Sequence, residues 1–330
     1  MTRDGMRRTF GIFCNKGNLW PAGPAWLALM LALVMVTLGE PAVAQEPPSR
    51  TVYVAGSGNT ALDQHVFDLF QTAFGPNTEL RSISDEQSAL IDNEPIIAIG
   101  PKAFSHIRQT NRDASVLAFL VQKSFIQKYT EEYPGQISAV FYDVPLLRQA
   151  LAGKAILPHA SRIAILASPE SVGVYEPLLD QLPAFDLQAR VFVVDSMDRL
   201  IPTLVRALNY GDFLLASHDE SIYNPRTIKH ILLTAYRRNR IVIGPSQAYV
   251  KAGSLASGYA PFQEMADVAA QLIGRFFETG RLPPPTYPQD YRISLNRQVA
   301  RSLNIPLPDA NEITRLINDA LAQHGRDEDE

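Results

Sequence analysis

Short unbroken apolar runs alternate along this chain with stretches whose apolar residues recur every three or four positions. The runs are Val52–Ala55, Leu80–Ile83, Ile96–Ile99, Val116–Val121 and Ile137–Tyr142. A run of that length, bounded by turn residues, predicts a strand covered on both faces. Between the first two, Leu62, Val66, Leu69, Phe70 and Ala73 fall on one face of a predicted helix. After Asp143-Val144-Pro145 the pattern restarts. A helix carrying Leu146, Leu147, Ala150 and Leu151 precedes strands at Ile163–Ala167, Arg190–Val194, Phe213–Ala216 and Ile241–Ile243. Asn224-Pro225 predicts the opening of a helix whose apolar face holds Ile228, Ile231, Leu232, Ala235 and Tyr236. Strands alternating with helices predict parallel sheets, with ligands bound at the carboxyl ends of the strands.

The doubling predicts an α/β protein of two Rossmann-like lobes with parallel sheets, joined by a hinge of three chain crossings. Residues 51–142 and 259–283 are assigned to lobe one, and 143–258 and 284–323 to lobe two. The first crossing is placed near Tyr142 and the second near Gly258-Tyr259. The second delivers a helix with Met265, Ala269, Leu272, Ile273 and Phe276 back to lobe one. Pro283-Pro284-Pro285 marks a stiff extended return. Tyr291–Leu295 predicts a strand, Asn296 a helix cap, and Asp309–Ala322 a last amphipathic helix before a disordered acidic tail at 324–330.

Composition narrows the function classes. At 330 residues the chain has room for about two domains. Its formal charge of −4 lacks the clustered positive surface that a nucleic-acid backbone requires. Arg237, Arg238 and Arg240 are the one tight basic cluster, and they sit where a helix end favours positive charge. Residues 1–44 read as a signal peptide. Arg3, Arg7, Arg8 and Lys16 form a basic leader, Trp26–Leu38 is apolar, and Ala42-Val43-Ala44 fits the cleavage pattern. The apolar run falls short of the roughly 20 residues a membrane span needs. Cleavage removes four basic and two acidic residues, taking the charge from −4 to −6, and with them Cys14, the only cysteine. The mature chain then has neither disulfide nor thiolate metal site.

Three clusters carry candidate chemistry. Gly56-x-Gly58-x-x-Ala61 follows a strand and opens a helix, as a dinucleotide fingerprint does, with Asp85 placed for a ribose. The same turn also suits a ligand carboxylate or other anion on backbone N–H groups, or simply a tight turn. His218-Asp219-Glu220 follows a strand, but adjacent residues seldom converge on one metal and no second cluster supports them; a polar cleft rim is the simpler reading. No Gly-x-Ser-x-Gly elbow supports a serine hydrolase. Tyr142, Tyr223, Tyr249 and Tyr259 lie beside predicted strand ends, where rings with a polar tip sandwich small molecules.

The series Asp219, Asn224, Ile241-Val242-Ile243-Gly244, Val250-Lys251-Ala252-Gly253, Ser257, Ala269-Ala270, Gly274, Asn296, Ala300 and Leu303-Asn304-Ile305-Pro306 resembles the carboxy-terminal half of ABC-transporter substrate-binding proteins of the tryptophan/tyrosine-binding type. The resemblance covers residues 210–308 and is looser over 95–210. It implies a periplasmic protein that catalyses no reaction and binds a small molecule by hinge closure without a cofactor. It also implies a monomer that partners an inner-membrane ABC permease. A module reporting to a receptor or sensor kinase is the alternative, and an exported nicotinamide-dependent oxidoreductase a further one. At the first crossing Phe141–Pro145 stands where near family members carry a Thr/Gly-rich segment, so an amino-acid or aromatic ligand does not carry over. Topology selects as ligand contacts Ser57, Asn59, Gly100, Tyr142 and Asp143 from lobe one and its hinge. From lobe two it selects Ser168, Asp219, Tyr223, Asn224, Ser246 and Gln247.

Overall fold

The computed structural model describes residues 50–84 and 87–327. The predicted leader, Asp85 and the last three acidic residues lie outside the described residues. Two sheets organise the rest. The first has the order β2-β1-β3-β4-β5, from β1 (Arg50–Ala55), β2 (Thr78–Ile83), β3 (Ile96–Ile99), β4 (Val116–Val121) and β5 (Ile137–Phe141), all parallel. Its central strands are apolar throughout because helices cover both faces. Ile97 and Ile99 of β3 pack toward α1 (Thr60–Phe74) and α9 (Phe262–Thr279), while Ile96 and Ala98 face α2 (Gly100–Thr110) and α3 (Lys123–Glu132). That is the two-residue period of a strand, read with both sides buried.

The second sheet has the order β11-β10-β9-β8-β6-β7. Its strands are β6 (Arg162–Ala167), β7 (Gln188–Val193), β8 (Phe213–Leu215), β9 (Ile241–Ile243), β10 (Ala256–Tyr259) and β11 (Arg292–Leu295). All pairs are parallel except β10 with β11. One face packs on α4 (Leu146–Ile156), α5 (Glu176–Gln181), α10 (Arg297–Ser302) and α11 (Ala310–Asp327); the other packs on α6 (Leu200–Tyr210) and α7 (Ile228–Arg237). A Cβ on Gly153 of α4 would stand 2.5 Å from the Phe213 ring, so α4 lies on β8 closer than any other residue would permit. The architecture is that of a type I-like periplasmic binding protein, two α/β lobes within one compact unit.

Three passages join the lobes. The chain leaves β5 through Tyr142–Pro145 into α4 and returns from β10 through Ala260-Pro261 into α9. Met265, Ala266, Ala269 and Ile273 of α9 are fully buried against the first sheet. Burial of each large side chain among them stabilises that lobe by about 1.5–3 kcal/mol. The third passage differs from the sequence expectation. Thr286 still pairs with β5, its N–H donating to Ala139 at 2.9 Å while its carbonyl accepts from Phe141 at 3.1 Å. The return to lobe two therefore falls between Tyr287 and β11, past the three prolines. With no N–H, those prolines suit an edge that pairs at a single point.

Gln149 ties two of these passages together. Its Nε2 donates to the Gly258 carbonyl at 3.0 Å, and its Oε1 accepts from the Gly258 N–H at 2.8 Å. Strand β9 reaches β10 only at Ala256, so the side of Gly258 turned away from β11 has no strand partner. The buried Gln149 amide supplies the missing one.

Two helix ends depart from the sequence reading. Asn224 does not cap α7; its Oδ1 accepts from the Arg226 N–H, and Thr227 bonds back to Ile222 and Asn224, so a compact turn precedes a helix starting at Ile228. Helix α11 runs through Asp327, so 324–327 continue it instead of forming a tail. Asn296 does cap α10, accepting from Gln298 and Val299 N–H groups.

Candidate functional site

The strand tips of the two lobes face each other across a cavity of about 420 Å³. Lobe one contributes Gln122, just past β4, and Tyr142, just past β5; lobe two contributes His218, Glu220, Tyr223, Asn224 and Pro225 after β8. Ser246 after β9 and Tyr249, one turn into α8 (Gln247–Ala252), complete the wall.

Aromatic rings frame this space. Tyr142 meets His218 edge to face across the lobes, with centroids 5.1 Å apart. Tyr223 and Tyr249 are 6.5 Å apart at 70°. The Tyr142 hydroxyl accepts from Gln122 Nε2 at 2.8 Å, and Tyr249 donates to the Tyr223 carbonyl at 2.5 Å. Burial raises the pKa of both the Tyr142 and the Tyr249 hydroxyl, and the Glu220 carboxylate adds to the rise in each case. Glu220 thus lies within electrostatic reach of rings from both lobes.

Two polar atoms in this wall are buried without a hydrogen-bond partner, His218 Nε2 and Tyr223 Oη. Burial alone pulls the His218 pKa down to about 4, so the imidazole is neutral at physiological pH. Burial likewise drives the Tyr223 hydroxyl far above its ordinary range; the Leu166 backbone is near enough to soften the rise but not in hydrogen-bonding geometry. Buried polar groups are normally paired, so two unpaired ones on residues of the same wall mark it out from the rest of the lobe.

Of the residues selected from sequence, Tyr142, Tyr223, Asn224 and Ser246 line this cavity. Asp143 sits behind them in the first passage, taking a long 3.5 Å bond from the Tyr287 hydroxyl, with Oδ1 unpaired. Burial lifts its pKa to about 6, against the pull of Lys123. Gln247 is exposed and outside the wall.

Ser57, Asn59 and Gly100 form a separate cluster at the tips of β1 and β3, and the donors of the Ser57-Gly58 turn are occupied by the chain itself. Ser57 N–H and Oγ donate to Asp63 Oδ1 at 2.8 and 2.6 Å, and Gly58 N–H donates to Oδ2 at 3.2 Å. A Cβ on Gly56 would stand 2.6 Å from that carboxylate. Asn59 caps α1 through Leu62 N–H, and Gly100 takes a φ of +83° beside Ser57, a conformation glycine alone adopts without strain. The anion cradle anticipated from Gly56-x-Gly58 is therefore filled by Asp63, for a dinucleotide as for a ligand carboxylate.

Asp219 plays the corresponding part in lobe two. It accepts from Ser168 N–H at 2.8 Å, Ser171 Oγ at 2.6 Å and both N–H and Oγ of Ser221. Burial opposes its ionisation, but these bonds, Ser171 and Ser221 foremost, hold its pKa below the ordinary carboxylate value. Ser168 and Asp219 fasten the β6 and β8 tips together and stand outside the cavity wall. No group of three His, Cys, Asp or Glu side chains among the described residues is placed to hold a metal ion.

Gln122 and Pro225 were not among the sequence candidates. Tyr249, His218 and Glu220 were noticed as loop residues but not assigned as contacts. Gln122, His218, Glu220 and Tyr249 share one signal, a place in the first few residues past a strand end; Pro225 lies further along the loop after β8 and does not. A larger hollow of about 970 Å³ runs along the β5 edge, lined by Lys123 and Glu131 of α3, Phe141, Arg148, Tyr287 and Leu321 among others. It follows the flank of the hinge and lies off the strand tips.

No protein-family model matches the sequence, and no curated protein matches it. Solved structures do match in fold. The ligand-free, open structure of a substrate binding protein with adhesive properties from Clostridium difficile shares 14% identity over 78% of this chain and 96% of its own, with a TM-score of 0.62. An ABC domain in complex with L-Trp from Streptococcus pneumonia shares 15% identity over 78% of this chain and 96% of its own, at a TM-score of 0.54. A conserved domain protein from Vibrio cholerae scores 0.55 at 15% identity, covering 79% of this chain and 96% of its own. At such identities the likeness establishes the fold, which substrate-binding proteins share.

Proposed function

We propose that this protein is the periplasmic solute-binding component of an ABC-type import system. It takes a small molecule between its lobes and presents the closed form to an inner-membrane permease. One observation carries the reading: a cavity at the strand tips whose wall comes from both lobes and includes His218 and Tyr223, each with a polar atom that the chain leaves unpaired. A ligand there contacts Tyr142 and Gln122 on one side and Tyr249 on the other only when the lobes approach. It therefore favours the closed state by its differential affinity. Micromolar binding needs about −8 kcal/mol net, within reach of a few hydrogen bonds and stacked rings. Among the described residues no helix is long and apolar enough to cross a membrane. Export through a leader cleaved near Ala44 supplies the compartment.

Native mass spectrometry of the protein purified from its host tests this. The expected result is a retained small molecule that is released on mild unfolding and lost in Tyr142→Ala. A retained molecule whose binding ignores Tyr142 puts the site elsewhere.

A further inference from the structure

The charge of the cleft wall narrows what it can take. No lysine or arginine lines the cavity at the strand tips, and Glu220 is its one charged side chain. Lys102, beside the Gly58 turn, and Lys123, beside Asp143, lie outside that wall. The backbone donors that a ligand anion would seek are already bonded to Asp63 in lobe one and Asp219 in lobe two. Those carboxylates add negative charge to both rims. An incoming carboxylate would meet like charge and few free donors, a mismatch that disfavours binding.

A positively charged group meets the opposite conditions. Tyr142 and Tyr249 are partly exposed to the cavity, with the His218 ring against Tyr142. Glu220 is near enough to both phenols to perturb them. Aromatic faces attract cations, most strongly where water is excluded, and an adjacent carboxylate completes the pairing. The neutral imidazole brings no competing charge, and its unpaired Nε2 remains for one N–H or O–H of the ligand.

We propose that the cleft selects a small organic cation, an amine or quaternary ammonium seated among Tyr142, Tyr249 and His218 with Glu220 as its counter-ion. This rests on the reading of the cleft as the ligand site.

Isothermal titration of the purified protein tests it with choline, benzyltrimethylammonium, the uncharged choline isostere 3,3-dimethylbutanol, benzoate and L-tryptophan. A cation is expected to bind about tenfold or more tightly than its uncharged isostere. Glu220→Gln, at an exposed position, is expected to weaken the cations about five- to tenfold and leave the isostere unchanged. Tyr142→Leu weakens the cations, and Tyr142→Phe restores most of the loss, because the ring is what binds. Benzoate, L-tryptophan or the isostere binding as tightly as the cations, and depending on Tyr142, overturns the cation class while leaving the ligand cleft in place. Cation binding indifferent to Tyr142 and Glu220 overturns the class and the site together. No binding of either cation at millimolar concentration overturns the cation class, and the retained-ligand measurement then judges the cleft alone.

Discussion

The two lobes solve the same problem at their strand tips with the same device, and then diverge. In each, an aspartate folds back to collect donors that a turn leaves unpaired: Asp63 those of Ser57 and Gly58, Asp219 those of Ser168, Ser171 and Ser221. Lobe one has little left to offer after that; its share of the cavity is Gln122 and Tyr142, whose polar ends bond to one another. Lobe two keeps two polar atoms unpaired, an exposed carboxylate and two more rings. On the proposed reading, a cleft built this unevenly would bind in sequence: the ligand would settle on lobe two, and lobe one would close over it as a ring-bearing cover.

The largest effect is expected where lobe two is tied to the hinge. Gln149→Leu leaves the Gly258 N–H buried without a partner and its carbonyl with Ser257 Oγ alone, and should cost about 3 kcal/mol, read from chemical denaturation. A loss below about 1 kcal/mol would mean that water replaces the amide. Next comes the pair of aspartates. Asp219→Ala strands more donors in a more buried setting than Asp63→Ala, so the expected losses are about 2 and about 1 kcal/mol. Equal melting shifts would break the parallel drawn between the two turns.

The last contrast is in pH dependence, where the hinge and lobe two carry opposite signs. His218 has its pKa lowered to about 4, so its contribution is complete above the unfolded value of 6.5 and is lost as pH falls toward 4. Asp143 has its pKa raised to about 6, so its contribution is complete below 3.8 and is lost as pH rises toward 6. The two slopes oppose each other between pH 4 and 6. Asp143→Asn should leave a stability that falls on acidification through that window, and His218→Asn one that rises, by about 1–2 kcal/mol in each case. Thermal melts of both variants across the window, with unchanged slopes, would show that neither side chain is buried as described.

Much of this architecture was legible because strands covered on both faces leave dense apolar runs, such as Ile96–Ile99 and Val116–Val121, that little else produces. Helices α3 and α5 were not, since Lys123–Glu132 buries only Ile126 fully and α5 has six residues. The start of α7 was misplaced because Asn224 and Thr227 spend their side chains on a turn that mimics a cap. Topology put Tyr142, Tyr223, Asn224 and Ser246 at strand tips, and these four line one cavity. It did not say which polar groups the chain would satisfy for itself. Nothing in Gly56-x-Gly58 announces that Asp63 swings back over it; that depends on the path of one loop in three dimensions.

The Gln149 bridge has a mechanical corollary. By fastening the start of α4 to the end of β10, it welds two of the three linkers at their lobe-two roots, so neither can flex there without dragging the other. If the lobes hinge as proposed, the first two linkers would turn only on the far side of that weld, in Tyr142–Val144 and Ala260-Pro261, so that two of the three tethers would act as one and only the third, between Tyr287 and β11, would stay independent.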